Sequence, residues 1–364
     1  MILRKCDMKT FSERCSGKKL ACYGIGGEFD RIIKNYKGYK WETALAYLVD
    51  GNADRRGNKK IVNETEYEMV SLDDFVKMDL SDVILLITCT AYAEVVERLE
   101  QIAALDSLEC YLFHFMFGLS EGEKITIRHA DRALIPPVIH YCWFGGKELP
   151  DLYKKCIDSW HRFCPDYEIK EWNETNCDVS ETLFTKQAYE VGKYGFVPDY
   201  FRLKIIYENG GIYLDTDVEV LKNLDELRYN SAFCGMEFPG EVNLGLGFGA
   251  EKEYPVMKEL IKRYRQMPFI YEDGTYNEVI SPIYQTKDLM EMGMQYGTGL
   301  QKLDGLTIYP VEVLSPKNIN TGEYSVTDYS YALHHYDGSW VNGKRLEEKI
   351  KRAERVAKLQ EMFQ

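Results

Sequence analysis

The sequence lacks a long apolar run, a Cys-x-x-Cys pair and a surplus of basic residues. Its longest apolar run, Val83 to Cys89, is far shorter than the ~20 residues that span a bilayer. Residues 1–30 carry charges throughout and contain no apolar core, so we expect no export signal and a cytoplasmic protein. A net charge of −13 is unfavourable for binding nucleic acid through its phosphates, and we expect no nucleic-acid partner.

Cysteine is plentiful but not arranged in pairs. The ten cysteines are scattered, and several stand inside apolar segments such as Ile87-Thr88-Cys89. The spacing excludes a zinc finger and a thioredoxin-like site. We interpret the cysteines as buried, reduced thiols of a cytoplasmic protein.

The length of 364 residues suggests two domains at ~150 residues each. Residues 1–130 alternate apolar runs with helical patterns, which predicts a small doubly wound α/β domain. The first run ends in Gly24-Ile25-Gly26-Gly27, as a dinucleotide site would, and Asp50 follows the second run where a ribose-binding acid could lie. Phe29 stands where that fingerprint has its third glycine, so we expect no tight binding of NAD.

A second α/β pattern covers residues 131–345. An apolar run from Pro137 to Phe144 predicts a strand, and Asp199 to Glu208 predicts a helix closed by Asn209-Gly210-Gly211. A buried strand, Ile212 to Leu214, then leads directly into Asp215-Thr216-Asp217.

The paired acids Asp215 and Asp217 are the sharpest chemical feature. On an extended chain, side chains two apart project to the same side. Two carboxylates at the end of a buried strand suit Mg²⁺ or Mn²⁺, which would hold a diphosphate. A helix–loop–helix calcium site is excluded because Val220 occupies the position that needs glycine. A solvated acidic turn is the remaining alternative.

Three motifs resemble glycosyltransferase family 32, whose members include bacterial capsular and surface polysaccharide transferases. The resemblance is nearly residue for residue over Pro198–Glu219. The segments Ile135–Gly146 and His334–Trp340 resemble the first strand and the closing segment of that family. The resemblance implies a Rossmann-like catalytic domain of the GT-A type over residues 131–345. The chain departs from the family at Ser281-Pro282, where glycine is expected before the proline.

The resemblance implies a role for several residues, each with a simpler alternative. Trp143 would stack on the nucleotide base, or be a core tryptophan. Asp199 would accept hydrogen bonds from donor hydroxyls, or cap the helix after Pro198. Arg202 would bind the sugar or diphosphate, or only form a salt bridge. Tyr213 would contact the donor, or only pack in the strand.

The same resemblance suggests the metal ligands and a closing flap. Asp217 would contact the metal directly, with Asp215 touching ribose, sugar or metal. His335 would be the third protein ligand and His334 the second choice, since adjacent histidines on an extended chain point to opposite sides. Ser339 and Trp340 would donate hydrogen bonds to the diphosphate. Asn243 would contact a sugar.

These observations predict a metal-dependent, retaining glycosyltransferase in capsular or surface polysaccharide synthesis. The expected donor is a UDP-sugar or a GDP-sugar, and the expected acceptor is a saccharide or a lipid-linked saccharide. A glycoside hydrolase is disfavoured, because its two acids must flank the scissile bond from different sides. A non-catalytic nucleotide-sugar-binding protein is the other alternative.

Residues 346–364 form a basic amphipathic pattern. Leu346, Ile350, Ala353 and Ala357 fall on one stripe at helical spacing, with Val356 and Phe363 along its edge. Such a helix either packs this stripe on the catalytic domain or lies against an anionic membrane at the inner face. The alanines and the lack of tryptophan favour packing.

Overall fold

The computed structural model describes residues 1–36, 39–52, 56–116, 124–295, 299–319, 321–337, 351 and 354–363. The chain divides into two compact units. The first comprises Met1–Glu123, Asn320–Gly322 and Gly343–Gln364, and the second comprises Lys124–Ile319 and Glu323–Asn342. Both are α/β, which confirms the predicted fold class.

The first unit is built on a seven-stranded sheet. Its strands are β1 (Ile2–Arg4), β2 (Lys19–Tyr23), β3 (Leu45–Asp50), β4 (Lys59–Val62), β5 (Thr65–Ser71), β6 (Val83–Ile87) and β7 (Glu109–Leu112). Its helices are α1 (Met8–Arg14), α2 (Gly27–Asn35), α3 (Leu72–Phe75) and α4 (Tyr92–Leu99). The order is β1-β7-β6-β2-β3-β5-β4, and every pair is parallel except β4 with β5. β6 is buried along its whole length, as its uniformly apolar sequence predicts.

The second unit contains the larger, mixed sheet. Its strands are β8 (Val138–Cys142), β9 (Glu168–Trp172), β10 (Gly211–Tyr213), β11 (Val218–Val220), β12 (Ala232–Glu237), β13 (Glu241–Val242), β14 (Phe248–Ala250), β15 (Gln301–Leu303), β16 (Leu306–Tyr309) and β17 (Ala332–His334). Its helices are α5 (Asp151–Phe163), α6 (Leu183–Glu190), α7 (Pro198–Asn209), α8 (Pro255–Gln266), α9 (Ser281–Glu291) and α10 (Val311–Leu314).

Two strand groups position the site in the second unit. The main sheet has the order β15-β16-β12-β14-β10-β8-β9, with β13 added on β12. A separate two-stranded ribbon pairs β11 with β17 in antiparallel fashion. The chain therefore passes from the main sheet into this ribbon between β10 and β11.

The C-terminal helix packs on the first unit, not on the predicted catalytic domain. Residues 354–360 are helical, and Val356 and Leu359 are buried in the apolar core that includes β6 and α4. Phe363 packs against the edge of the same core. The predicted stripe is wrong at Ala357, which is exposed, because the helix turns the Val356–Leu359 face inward. Leu346, Ile350 and Ala353 lie outside the described residues.

None of the helices that the structure describes is both long and apolar enough to cross a bilayer.

Candidate functional site

The paired acids follow α7, the glycines Gly210 and Gly211, and the short strand β10. α7 ends where Gly210 and Gly211 adopt positive φ angles of 69° and 105°, which side chains rarely allow. A Cβ on Gly211 would also come within 2.8 Å of the carbonyl oxygen of Val138 on β8. The glycines thus let β10 pair closely with β8 and deliver Asp215 to the end of the strand.

Asp215 and Asp217 lie in a turn, so the predicted extended geometry is wrong here. The Val218 amide donates to the Asp215 carbonyl oxygen at 3.0 Å, and Thr216 and Asp217 are turn residues. The cause is topological: β10 belongs to the main sheet and β11 to the ribbon, so the chain must change direction between them.

Arg202 is the buried cation of the site. Its Nη2 lies 3.1 Å from Oδ1 of Asp199 and 3.3 Å from Oδ1 of Asp215. Its guanidinium carbon lies 5.3 Å from the centre of the Tyr213 ring. Within the described part of the chain its buried Nε has no hydrogen-bond partner.

Asp199 does not cap α7, contrary to the simpler alternative. The helix begins at Pro198, the preceding Val197 is the cap residue, and Asp199 lies in the first turn. Burial raises the pKa of Asp199 to about 6, although Arg202 opposes the shift. The nearby Ser281 hydroxyl also acts to lower the pKa of this carboxyl group. The direct partner of Asp199 is therefore Arg202.

Tyr213 is a fully buried strand residue whose hydroxyl reaches the acid turn. It donates to Oδ1 of Asp215 at 2.9 Å. This hydrogen bond orients the Asp215 carboxylate. Its direct contact with a donor stays a prediction.

His334 and His335 separate as the alternation along a strand requires. Nε2 of His334 lies 3.0 Å from Oδ1 of Asp217, whereas Nε2 of His335 lies 3.0 Å from Oε2 of Glu219. The ribbon causes this, because Val218 pairs with His334 across β11 and β17. His334, the second choice from the sequence, is therefore the histidine at the acid turn.

Asp217 is oriented by two protein groups, one on each of its carboxylate oxygens. Besides His334, the Asp337 amide donates to its Oδ2 at 3.1 Å. Burial alone would raise the pKa of Asp217, but the charge and hydrogen bond of His334 and the Asp337 amide lower it to about 2. The carboxylate is thus ionised at neutral pH, as a metal or cation site needs.

Trp143 lies at the same edge as Asp217. It follows β8, is half-buried, and meets Tyr153 edge to face at 5.6 Å between ring centroids. The Tyr153 hydroxyl donates to Oδ2 of Asp337 at 3.0 Å, and Asp337 donates to Asp217. A short chain of contacts therefore joins the predicted base-stacking ring to the acid turn.

The loop that contains Asn243 and Gly245 lies in close contact with Asp215. Nδ2 of Asn243 donates to Oε2 of Glu237 at 2.8 Å, and its Oδ1 accepts from the Gly245 amide at 2.7 Å. The Gly245 carbonyl accepts from the Asp215 amide at 3.1 Å. A Cβ on Gly245 would lie 2.2 Å from Oδ2 of Asp215, so only glycine allows this approach. Asn243 thus lies in the loop that contacts Asp215, and its contact with a sugar stays a prediction.

Sequence reasoning missed Glu237, Ser281 and Gln285 as members of the site. Glu237 is buried beside Asn243, and burial raises its pKa to about 7. Gln285 accepts from the Leu244 amide at 3.0 Å. No local pattern signals these residues, because they reach the site only through the pairing of β12 and the packing of α9. Ser339 and Trp340 lie outside the described residues.

The site provides part of a shell for a hard divalent cation. Among the described residues no group of three or more His, Cys, Asp or Glu side chains is arranged to hold a metal. Asp215 and Asp217 nevertheless supply carboxylate oxygens at one turn. Mg²⁺ sites typically use one or two carboxylates together with substrate phosphates and water. The residues present fit a cation of that kind.

Comparisons with known proteins locate a family segment over this site. Residues 150–234 match the family described as a glycosyltransferase sugar-binding region containing a DXD motif. The chain is 29% identical over 149 residues to inositol phosphoceramide mannosyltransferase 3 of Schizosaccharomyces pombe, covering 38% of this chain and 40% of that protein. It is 22% identical over 278 residues to the initiation-specific alpha-1,6-mannosyltransferase of Candida albicans, covering 56% and 72%.

Solved structures with partial similarity include two glycosyltransferases. The PaToxG glycosyltransferase gives a TM-score of 0.35 at 17% identity, covering 43% of this chain and 69% of that one. The galactosyltransferase LgtC, in complex with donor and acceptor sugar analogues, gives 0.30 at 12% identity, covering 61% and 95%.

The family segment runs from the residue before α5 to the middle of β12, and it includes Asp199, Arg202 and the acid turn. Asp215-Thr216-Asp217 is its Asp-x-Asp motif. Residues 150–234 therefore match the family that contains the DXD motif, and this match spans the site.

Proposed function

We propose that this protein transfers a sugar from a nucleoside diphosphate sugar to a hydroxyl group of an acceptor. The observation that carries the proposal is the buried Arg202, which lies between the buried Asp199 and the half-buried Asp215 within the family segment. Burying a guanidinium between two carboxylates is costly and needs close partners on every side. The unpartnered Nε of Arg202 indicates that one partner is a ligand.

The cofactor in this proposal is Mn²⁺ or Mg²⁺ at Asp215 and Asp217, with His334 as the nearest imidazole. When bound, such a cation would act as a Lewis acid that stabilises the departing nucleoside diphosphate. The chain's own contribution is to hold both carboxylates in place. Tyr213 orients Asp215, while His334 and the Asp337 amide orient Asp217.

Donor recognition is assigned to the residues around this turn. Arg202 offers a fixed cation for the sugar or the diphosphate, and its orientation is set by two carboxylates before any ligand arrives. Asp199 accepts hydrogen bonds from sugar hydroxyls. Trp143, half-buried at the end of β8, stacks on the base. Asn243 contacts a sugar next to Asp215.

We further propose transfer with retention of anomeric configuration, so that an α-linked donor gives an α-linked product. The proposed role in capsular or surface polysaccharide synthesis, with a saccharide or lipid-linked saccharide acceptor, rests on the family resemblance of the three motifs. The chain spans 40% of the length of the S. pombe relative, an inositol phosphoceramide mannosyltransferase. Since both fungal relatives transfer mannose by name, mannose is the first donor sugar to test.

The test is a panel of UDP- and GDP-sugars, including GDP-mannose, with Mn²⁺ and with a chelator. We expect one donor to raise the melting temperature and to release free nucleoside diphosphate in a metal-dependent reaction. Proton NMR of the first product would show an α-linkage. Binding without any release of nucleotide would favour a nucleotide-sugar sensor, and release that survives chelation would contradict the proposed metal site.

A further inference from the structure

Gln285 has a buried side-chain amide whose oxygen is hydrogen-bonded and whose nitrogen is not, among the described residues. Only 1% of the residue is exposed. Its Oε1 accepts from the Leu244 amide at 3.0 Å. Its Nε2 is buried and has no hydrogen-bond partner among the residues that the structure describes. Leaving such a donor unpaired costs about 1–3 kcal/mol, and no described residue supplies its partner.

The position of Gln285 on α9 connects it to the proposed donor site. It follows Ser281 by one helical turn, so both side chains lie on the same face of the helix. The Ser281 hydroxyl lies near Asp199, where it acts to lower the pKa of that carboxyl group, and Gln285 accepts from the Leu244 amide. Leu244 stands between Asn243 and Gly245, in the loop that contacts Asp215. This face of α9 therefore borders the loop beside the acid turn.

The bonds of Gln285 also fix its orientation. The Leu244 amide is a donor and must face the amide oxygen, which directs the NH₂ group away from that bond. A neutral NH₂ group can only donate, so its partner must be an acceptor. A sugar hydroxyl can accept this hydrogen bond, and it can also donate one to another acceptor. The phosphates already have a cation in Arg202.

We infer that the Gln285 amide donates a hydrogen bond to a ring hydroxyl of the donor sugar, and that Gln285 thereby selects which sugar is transferred. This inference rests on the proposed transferase function and assigns a specificity residue within it. The second role of the side chain is to hold the Asn243–Gly245 loop through Leu244. The two roles use different atoms of one amide, so they can be separated by substitution.

Two variants of Gln285 separate these roles. Gln285→Glu keeps an oxygen for the Leu244 amide and removes the NH₂ group, whereas Gln285→Met removes both. Tyr284→Phe is the control on the same helix, because the Tyr284 hydroxyl bonds to Asn277 instead. Circular dichroism and melting temperature check that each variant folds. If the Met variant does not fold, the Glu variant alone carries the test.

The measurement is kcat/KM with the accepted donor and with its monodeoxy analogues. A site built to bond a hydroxyl rejects the analogue that lacks it, so we expect the wild-type enzyme to lose roughly ten- to hundredfold on one deoxy donor. Gln285→Glu should lose a similar factor on the parent sugar and should no longer distinguish it from that analogue. Tyr284→Phe should keep the wild-type pattern.

The outcomes distinguish the inference from the function on which it rests. If the wild-type enzyme transfers sugar but both Gln285 variants discriminate every deoxy donor as the wild type does, the inference is overturned and the transferase function stands. If the wild-type protein releases nucleotide from no donor in the panel, the proposed function fails and the inference fails with it.

Discussion

The two α/β units differ in what they bury. Among the described residues, every charged side chain that is fully buried lies in the second unit, and these are Asp199, Arg202, Glu237 and Glu312. The buried polar side chains described for the first unit include Ser71 and Thr88, which carry no charge. Thr88, for example, donates to the carbonyl oxygens of Tyr23 and Gly24 at the end of β6.

This difference shows where the chemistry of the molecule lies. Both units have parallel strands whose carboxyl ends carry glycine turns and an acid, so topology alone does not separate them. Burying charge costs several kcal/mol per ion unless partners compensate, and such clusters concentrate at functional sites. The second unit pays this cost at Asp199, Arg202 and Glu237, and the first unit does not.

The largest expected effect comes from removing the buried cation. Arg202→Met leaves Asp199 and Asp215 without their shared partner and should lower the free energy of unfolding by about 3–5 kcal/mol. Arg98→Met in the first unit is the matched control, because Arg98 is exposed beside Tyr23 and should cost less than ~1 kcal/mol. Urea unfolding followed by tryptophan fluorescence measures both. Equal losses would mean that the burial of charge does not distinguish the units.

The second prediction compares Asp217, which follows β10, with Asp50, which ends β3. Asp217→Asn should reduce kcat/KM by roughly 10²–10³-fold and abolish Mn²⁺-dependent donor binding, because it removes a charge directed at the site. Asp50→Asn, at the end of β3, should leave both within twofold. Donor affinity measured by calorimetry with and without Mn²⁺ tests this. Unchanged affinity in Asp217→Asn would place the cation elsewhere.

A third, smaller effect concerns Glu237 and pH. Its pKa is raised by burial to about 7, whereas the unfolded chain has an ordinary value near 4.5. The native state therefore holds this proton more tightly, so the stabilisation is complete below pH 4.5 and is lost as pH rises through 7. Over that window the loss is about 3 kcal/mol at most.

Glu237→Gln should flatten this dependence. The amide keeps an oxygen for Asn243 and does not ionise, so the variant should unfold at higher urea than the wild type at pH 8 and similarly at pH 4.5. The comparison across pH, not the stability at one pH, is the readout. Parallel curves for the two proteins would show that Glu237 does not titrate in this range.

The smallest expected effect is the absence of tight NAD binding by the first unit. Phe29 is fully buried where a dinucleotide fingerprint has its third glycine, the residue that normally lets helix and strand pack closely. Calorimetry should show no NAD affinity tighter than the millimolar range. A micromolar Kd would make the first unit a cofactor domain and would end the contrast with the second.

Local signals explain which parts could be predicted from the sequence. The helix from Pro198, the stop at Gly210-Gly211 and the strand before Asp215 are each written in a few adjacent residues, and the structure has them within one or two positions. β4 and β5 were not predicted, because their charged and polar residues break the apolar pattern. β4 and β5 instead form a hairpin, which is stabilised by the pairing of the two strands and by the pairing of β5 with β3.

Tertiary contacts explain the rest. The turn at Asp217 depends on β11 pairing with a strand that lies more than a hundred residues later, which no window of sequence contains. The choice of His334 over His335 follows from the same pairing. Gln285 reaches the site because α9 packs beside the Asn243 loop, and the face of the C-terminal helix depends on the core that it meets.

The pairing of β11 with β17 also determines when the second unit can complete its folding during translation. Asp217 is translated long before His334. The nascent chain therefore contains the acid turn without its histidine partner until residue 334 has been made. The first unit waits longer still, since Val356 and Leu359 complete its core. Such long-range closure delays the final folding step. Translation that stops short of these residues would therefore yield two units that are each unfinished, although every residue of the family segment had already been made.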